Sequence, residues 1–299
     1  VRTGFALALL ASLALGLGGS PYTLQLAMAL AMHVTLATSW NLLGGMAGYP
    51  SFATAAFFGV GAYAGAIAQG AGAPLPLAWA AGGAASAAVA FAIGFVVLPL
   101  RGHYFAIASL AVVIVLRQLA TNWTGLTGGG MGLNLPVLAW SPERQALVFY
   151  AAQAVVAFAA VLAAALVARG RLGFALRCIK GNETAAGMLG LDARAAKLAA
   201  FTLSAALVGP AGAIYASSVS YIEPGDVFDI LLTVEPILMA MLGGVGTVAG
   251  PVLGAALFTV LEQTIWAEFL SVHAAVLGAA VVGLAIFLPD GVLGRWRRA

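Results

Sequence analysis

Charge is what this chain has least of: 13 Lys and Arg and 10 Asp and Glu make up 8% of its 299 residues, against roughly a quarter charged in an ordinary soluble domain. That scarcity excludes a globule surrounded by water, and no nucleic-acid partner is expected. Cys178 is the single cysteine, so an intrachain disulfide is excluded, and a thiol inside a charged stretch suits a reducing compartment. Catalytic signatures are missing as well. Neither Lys180 nor Lys197 follows the Gly-x-x-x-x-Gly of a phosphate loop, and no HExxH or G-x-S-x-G occurs. His33, His103 and His273 lie in different segments without metal-ligand spacing, so packing or interfacial roles are expected of them and no metal site. The chain reads as neither an enzyme nor a nucleotide binder.

Apolar residues, by contrast, make up 63% of the chain. Only helices or closed barrels satisfy the backbone inside lipid. Barrel strands alternate with period two, whereas 151 to 168 is apolar on every face, so helices are the reading. Breaks at Gly, Pro and charged clusters leave apolar segments at 4–19, 22–43, 52–69, 77–98, 103–121, 145–168, 198–219, 230–242, 250–266 and 272–289. The expected fold is all-α: one domain over 1–299, a polytopic transmembrane bundle of about 8 to 10 segments, some of them broken or re-entrant and glycine-rich. The segment at 4–19 is read as a retained first helix in preference to a secretory leader.

Residues 169–197 hold six of the 13 basic residues. Lys and Arg concentrate in cytoplasmic loops, and alternating outward from this loop places eleven of the 13 on the cytoplasmic side, with Arg117 inside a segment and Arg144 outside. Both termini then lie in the cytoplasm. Within the loop, Asn182 is a plausible N-cap and Glu183 falls in the first turn of a short helix, near its positive end. The apolar residues Ala185, Ala186, Met188, Leu189 and Leu191 are too many for a free loop in water, so something should pack on them.

The pattern Glu183-x-Ala185-Ala186-x-x-x-Gly190 resembles the EAA loop of ABC importer permeases, where a coupling helix docks on a cytosolic ATPase. Residues 173–216 are similar to the M-type permease of branched-chain amino acid importers almost throughout. Blocks at 48–66, 100–129 and 235–257 agree, in the family's order. Thr54 stands where His is common in that family, and Ser109 where Thr is, departures that bear on the cargo. The resemblance implies a bacterial inner-membrane permease subunit for branched-chain or other small amino acids, or for urea and amides. It implies a second, H-type permease, two cytosolic ABC ATPases, an extracellular or periplasmic binding protein and surrounding lipid as partners. ATP and Mg would belong to the ATPases, with no cofactor on this chain. Residues 182, 183, 185, 186 and 188–191 would form the coupling helix.

Glycines and stray polar residues supply the remaining candidates. Gly246-x-x-x-Gly250-x-x-x-Gly254, preceded by Gly243 and Gly244 and containing Pro251, permits close backbone approach or a broken helix whose freed groups line a cavity. Gly44-x-x-x-Gly48 followed by Pro50 repeats the device. Arg117 and Glu235 are costly inside lipid and are either pathway-facing or paired with each other, while Glu262, nearer a segment end, reaches the headgroups. Tyr104, Phe105 and Thr54 are further pathway candidates, the two aromatics with interfacial packing as the alternative. Asn122, Trp123 and 127–129 are candidates for an outer mouth. The competing function is a stand-alone ion-coupled carrier, with Glu235 as the coupling carboxylate.

Overall fold

The computed structural model of the protein describes residues 21–136 and 138–268. The segments expected at 4–19 and 272–289, and His273, lie outside them. Every expected segment within them is a helix: α1 Pro21–Ala47, α2 Thr54–Gly70, α3 Leu75–Val97, α4 His103–Asn122, α6 Pro142–Arg169, α9 Ala193–Val219, α11 Leu231–Gly243 and α12 Gly250–Glu268. Short helices α5 Thr124–Thr127, α7 Arg171–Gly181, α8 Glu183–Met188 and α10 Pro224–Val227 fill the connections. Strands β1 Leu133–Asn134 and β2 Tyr221–Ile222 pair antiparallel as Leu133 with Ile222 and Asn134 with Tyr221. The chain thus has a ribbon end and, opposite it, a basic end carrying α7 and α8.

Helices α1, α3, α4, α6 and α9 are each long and apolar enough to cross a bilayer. The shorter α2 is the core of the bundle, with most of its residues buried between α3 and α9. Its small side chains are the reason. A methyl added at Gly61 would run into the carbonyl oxygen of Gly209 in α9, and one at Gly82 in α3 would lie 2.7 Å from the Gly61 carbonyl oxygen. Three backbones therefore meet directly, the close contact on which helix association in lipid depends. Ser86 adds a hydrogen bond of 2.7 Å to the Phe57 carbonyl, and Phe57 and Phe201 pack edge to face at 5.0 Å.

Two boundaries differ from expectation for a physical reason. Asp192 caps α9 by accepting a 2.9 Å bond from the Ala195 amide, so that helix begins at Ala193 and takes in Arg194 and Lys197. The basic connection from 169 to 197 is in turn mostly helical: α7 buries Gly173, Ala175, Leu176 and Ile179 on one face, a period-3.6 stripe hidden among the charges.

The glycine-rich pair α11 and α12 forms a hairpin beside α1. Gly243, Gly250 and Gly254 sit where any side chain would strike the opposite arm's backbone, while Gly244 and Gly246, at φ 127° and 81°, make the turn. Pro251 starts α12 and does not break a helix. The turn lies against the basic end of α1, where Gly45 leaves room for it.

Candidate functional site

At the basic end the chain builds a braced platform. Glu183, the first residue of α8, is held by three other elements. Lys197 of α9 donates to its Oε1 at 2.8 Å, Tyr49 after α1 donates to its Oε2, and Arg101 before α4 lies 3.7 Å from Oε2. Lys197 is 2% exposed and also donates to the Tyr49 hydroxyl and the Leu98 carbonyl, both at 3.2 Å, with its ammonium 4.3 Å from the centre of the Tyr49 ring. Such a cation is tolerable only because every proton finds an acceptor. Phe105 packs edge-on against Tyr49 at 5.4 Å and is fully buried, so its ring is core.

Burial pushes the Glu183 carboxyl up, but hydrogen bonds from Lys197 and Tyr49, with the charges of Lys197 and Arg101, outweigh it and hold the group below the usual carboxylate range. The Tyr49 phenol is raised by burial first and then by its bond to Glu183. The pair is therefore a carboxylate accepting from a neutral phenol and an ammonium.

Helix α8 stands on this brace. Asn182 caps it, accepting from the Ala185 amide at 3.0 Å. Ala186 is buried, Ala185 and Leu191 are half-buried, and the helix ends in paired bonds from Gly190 to the Gly187 carbonyl and from Leu191 to the Ala186 carbonyl. That C-terminal motif calls for a left-handed residue, and Gly190 supplies it at φ 79°. What remains outward is apolar: Met188 is 80% exposed and Leu189 74%. Of the residues expected to couple, Glu183 is turned into the bundle and Met188 and Leu189 form the free tip.

Deeper in, polar side chains close the breaks in the helices. Asn41 accepts from the Gly246 amide at 2.7 Å and donates to the Thr247 carbonyl at 2.8 Å, clasping the hairpin turn. Thr247 accepts from the Gly250 amide at 2.9 Å, and Lys180 donates to the Gly45 carbonyl at 2.8 Å. The backbone groups freed at the turn, the Gly246 and Gly250 amides and the Thr247 carbonyl, are thus partnered within the protein. Gly44 packs against Trp40, and Gly48, at φ 73°, against the Lys180 side chain. The buried start of α2, including Thr54, is capped from elsewhere: Ser109 accepts from the Phe52 amide at 2.8 Å and Thr233 from the Ala55 amide at 3.1 Å.

The other candidates are scattered. Tyr104 is 76% exposed at the basic end of α4. Arg117 and Glu235 make no ion pair with each other. His33 is buried against α12, bonded through Nδ1 to Thr259 Oγ1 at 2.9 Å. Trp123 is exposed, Asn122 bonds within its own helix, and Thr127 knots the following turn by donating to the Ala120 and Trp123 carbonyls. A cleft of about 360 Å³ between α1, α6 and α9 at the ribbon end is lined by Met28, Met32, Phe149 and Tyr215, and no expected pathway residue borders it. The sequence reading did not single out Asn41, Thr233, Gly45 or Tyr49. For Asn41 and Thr233 a signal existed, a polar residue within an apolar helix.

Long apolar helices, close glycine contacts and a helical platform at the end rich in Lys and Arg define a multi-pass membrane protein. The match of residues 22–288 to the family described as branched-chain amino acid transport system / permease component makes the class definite: the chain belongs to that permease family and is not an enzyme. It is 27% identical over 91% of its length to the high-affinity branched-chain amino acid transport system permease protein LivM of Escherichia coli K12, covering 70% of that protein. It is 28% identical over 58% of its length to LivH of Salmonella typhimurium, covering 59%, and 27% identical over 62% to the autoinducer 2 import system permease protein LsrC of Salmonella paratyphi B, covering 55%. No solved structure matches the chain.

Proposed function

We propose that this chain is the M-type permease subunit of an ABC importer of branched-chain or other small amino acids, with α8 as the handle of a cytosolic ATPase. The carrying observation is the tip: two large apolar side chains stand exposed on a helix that is capped, terminated and tied to α9 and to the joints beside α1 and α4. Exposed apolar surface on a rigid mount is what a docking partner buries. The likeness to LivM over most of both chains, against a shorter match to LivH, supports the M type and a second, H-type permease as partner. Two ATPases carrying ATP and Mg, a soluble binding protein, a cytoplasmic basic end and cytoplasmic termini complete the reading.

Closure of the ATPase pair would pull on α8, and the Glu183 brace would pass the movement to α9 and to the α1 and α4 joints. The test is co-purification of the ATPase with the Met188→Ser/Leu189→Ser variant, which is expected to lose most of the bound ATPase and of the uptake while remaining in the membrane. Full ATPase recovery with that variant would refute the handle. Uptake sustained by membrane potential in ATP-depleted vesicles would instead favour the ion-coupled carrier.

A further inference from the structure

Helix α7 turns one face to the bundle and leaves a ridge uncovered. The inner face holds Gly173, Ala175, Leu176 and Ile179; the ridge carries Arg171, Phe174 and Arg177, all exposed and spaced so that they share one side of the helix. The ridge is held at a definite depth. Arg177 reaches back to donate through Nη1 to the Ala168 carbonyl at 2.8 Å, and a methyl added at Gly173 would strike the Val167 carbonyl, so α7 lies against the last turn of α6. That turn closes a helix long and apolar enough to span the membrane. Leu166 is 64% exposed on it, and Arg169 is exposed at its end. The Arg177 guanidinium therefore sits where hydrocarbon gives way to headgroups, with Phe174, 56% exposed, beside it on the ridge. What the ridge lacks is an acid. No Asp or Glu occurs from 144 to 182; Glu143 is at the far end of α6, Glu183 is taken by the brace, and Asp192 caps α9. The bond to Ala168 uses one donor of the Arg177 fork and leaves the others to be met from outside the chain.

We propose that Arg169, Arg171, Phe174 and Arg177 form a binding site for an anionic phospholipid of the adjoining leaflet. The lipid phosphate takes the guanidinium of Arg177 with that of Arg169, a donor set that matches it. Arg171 adds charge at the edge, and the Phe174 ring enters the boundary between headgroups and acyl chains, where aromatic side chains are at home. A basic amphipathic helix directly after a spanning helix is what anionic headgroups hold. The bound lipid pins the joint at Gly170, from which α7 carries the α8 platform. This depends on the chain being a membrane protein and stands whether or not α8 is an ATPase handle.

The experiment exchanges the purified full chain in mild detergent against an equal mixture of phosphatidylglycerol and phosphatidylcholine and counts the retained lipids by mass spectrometry. The wild type is expected to prefer phosphatidylglycerol by about tenfold or more; Arg177→Gln should cut that preference about fivefold, and Phe174→Ala about threefold. Arg144→Gln removes the same charge from the opposite end of α6 and should leave the preference intact. Full preference in Arg177→Gln overturns the site. An equal fall in Arg144→Gln marks the general attraction of a basic protein and overturns it as well. Phe174→Ala changes no charge and removes an exposed ring, so it decides the matter if Arg177→Gln fails to fold: an unchanged preference there refutes the proposal. Loss of the wild-type preference when inorganic phosphate replaces chloride at matched ionic strength would make a free anion the occupant and refute the lipid. No preference in the wild type would leave the ridge to a protein partner and refute it too.

Discussion

At the scale of single residues, the brace is the place where stability and coupling meet. Removing one member of a buried pair strands the other, at about 3 kcal/mol or more. Lys197→Met is therefore expected to lower the melting temperature of the detergent-solubilised protein clearly, as is Glu183→Gln. The double variant should cost less than the sum, since each single change already forfeits the shared bond; strict additivity in a thermal-melt cycle would show that the two do not act on one another. The pH dependence has a definite sign. A carboxyl held below its ordinary range contributes stability above the unfolded-state value, lost as pH falls through the lower folded-state value. The gap between wild type and Glu183→Gln should accordingly stay constant from neutral pH to about 5 and close only under more acid conditions. Little of this was legible in the sequence. Lys197 reads there as one more positive-inside charge, and its partners come from residues as distant as Tyr49 and Leu98.

At the scale of elements, helix positions were legible and their mutual contacts were not. Segments of 17 to 28 residues announce themselves by uninterrupted hydropathy, because lipid demands it. Helix α7 did not, since its apolar stripe is diluted by Arg171, Arg177 and Lys180, and the pairing of β1 with β2 joins residues far apart in sequence. The glycines divide in the same way. Gly250 and Gly254 stand at a recognisable spacing, but nothing in the sequence pairs Gly61 with Gly209. The geometry makes that pairing consequential: Gly61→Ala should destabilise the protein by about 1 to 3 kcal/mol, because a backbone carbonyl has nowhere to retreat. Gly70, the last residue of the same helix, has nothing within 4 Å, so Gly70→Ala is the control and should be neutral or slightly stabilising. Equal melting temperatures for the two variants would contradict the three-backbone contact.

At the scale of the whole molecule, the two ends differ in a way that a labelling experiment can read. The ribbon end carries Glu223, Asp226 and Asp229 and the exposed Met131; the basic end carries α7, α8 and Arg101. A membrane protein keeps its Lys and Arg on the cytoplasmic side because moving them across is disfavoured, so these ends should face opposite compartments. With Cys178 replaced by Ser, a cysteine introduced at Met131 or at Gly187 is the single thiol of the chain. Gly187 lies in α8 with nothing within 4 Å, and Met131 is 87% exposed, so neither substitution displaces a neighbour. A membrane-impermeant maleimide should label Met131→Cys in right-side-out vesicles and Gly187→Cys in inside-out vesicles, with little labelling in the converse pairings. The reverse pattern would put α8 outside, out of reach of any cytosolic motor, and the permease reading of that helix would fail with it. Addition of the ATPase should then protect Gly187→Cys alone, because only that site lies beside Met188 and Leu189.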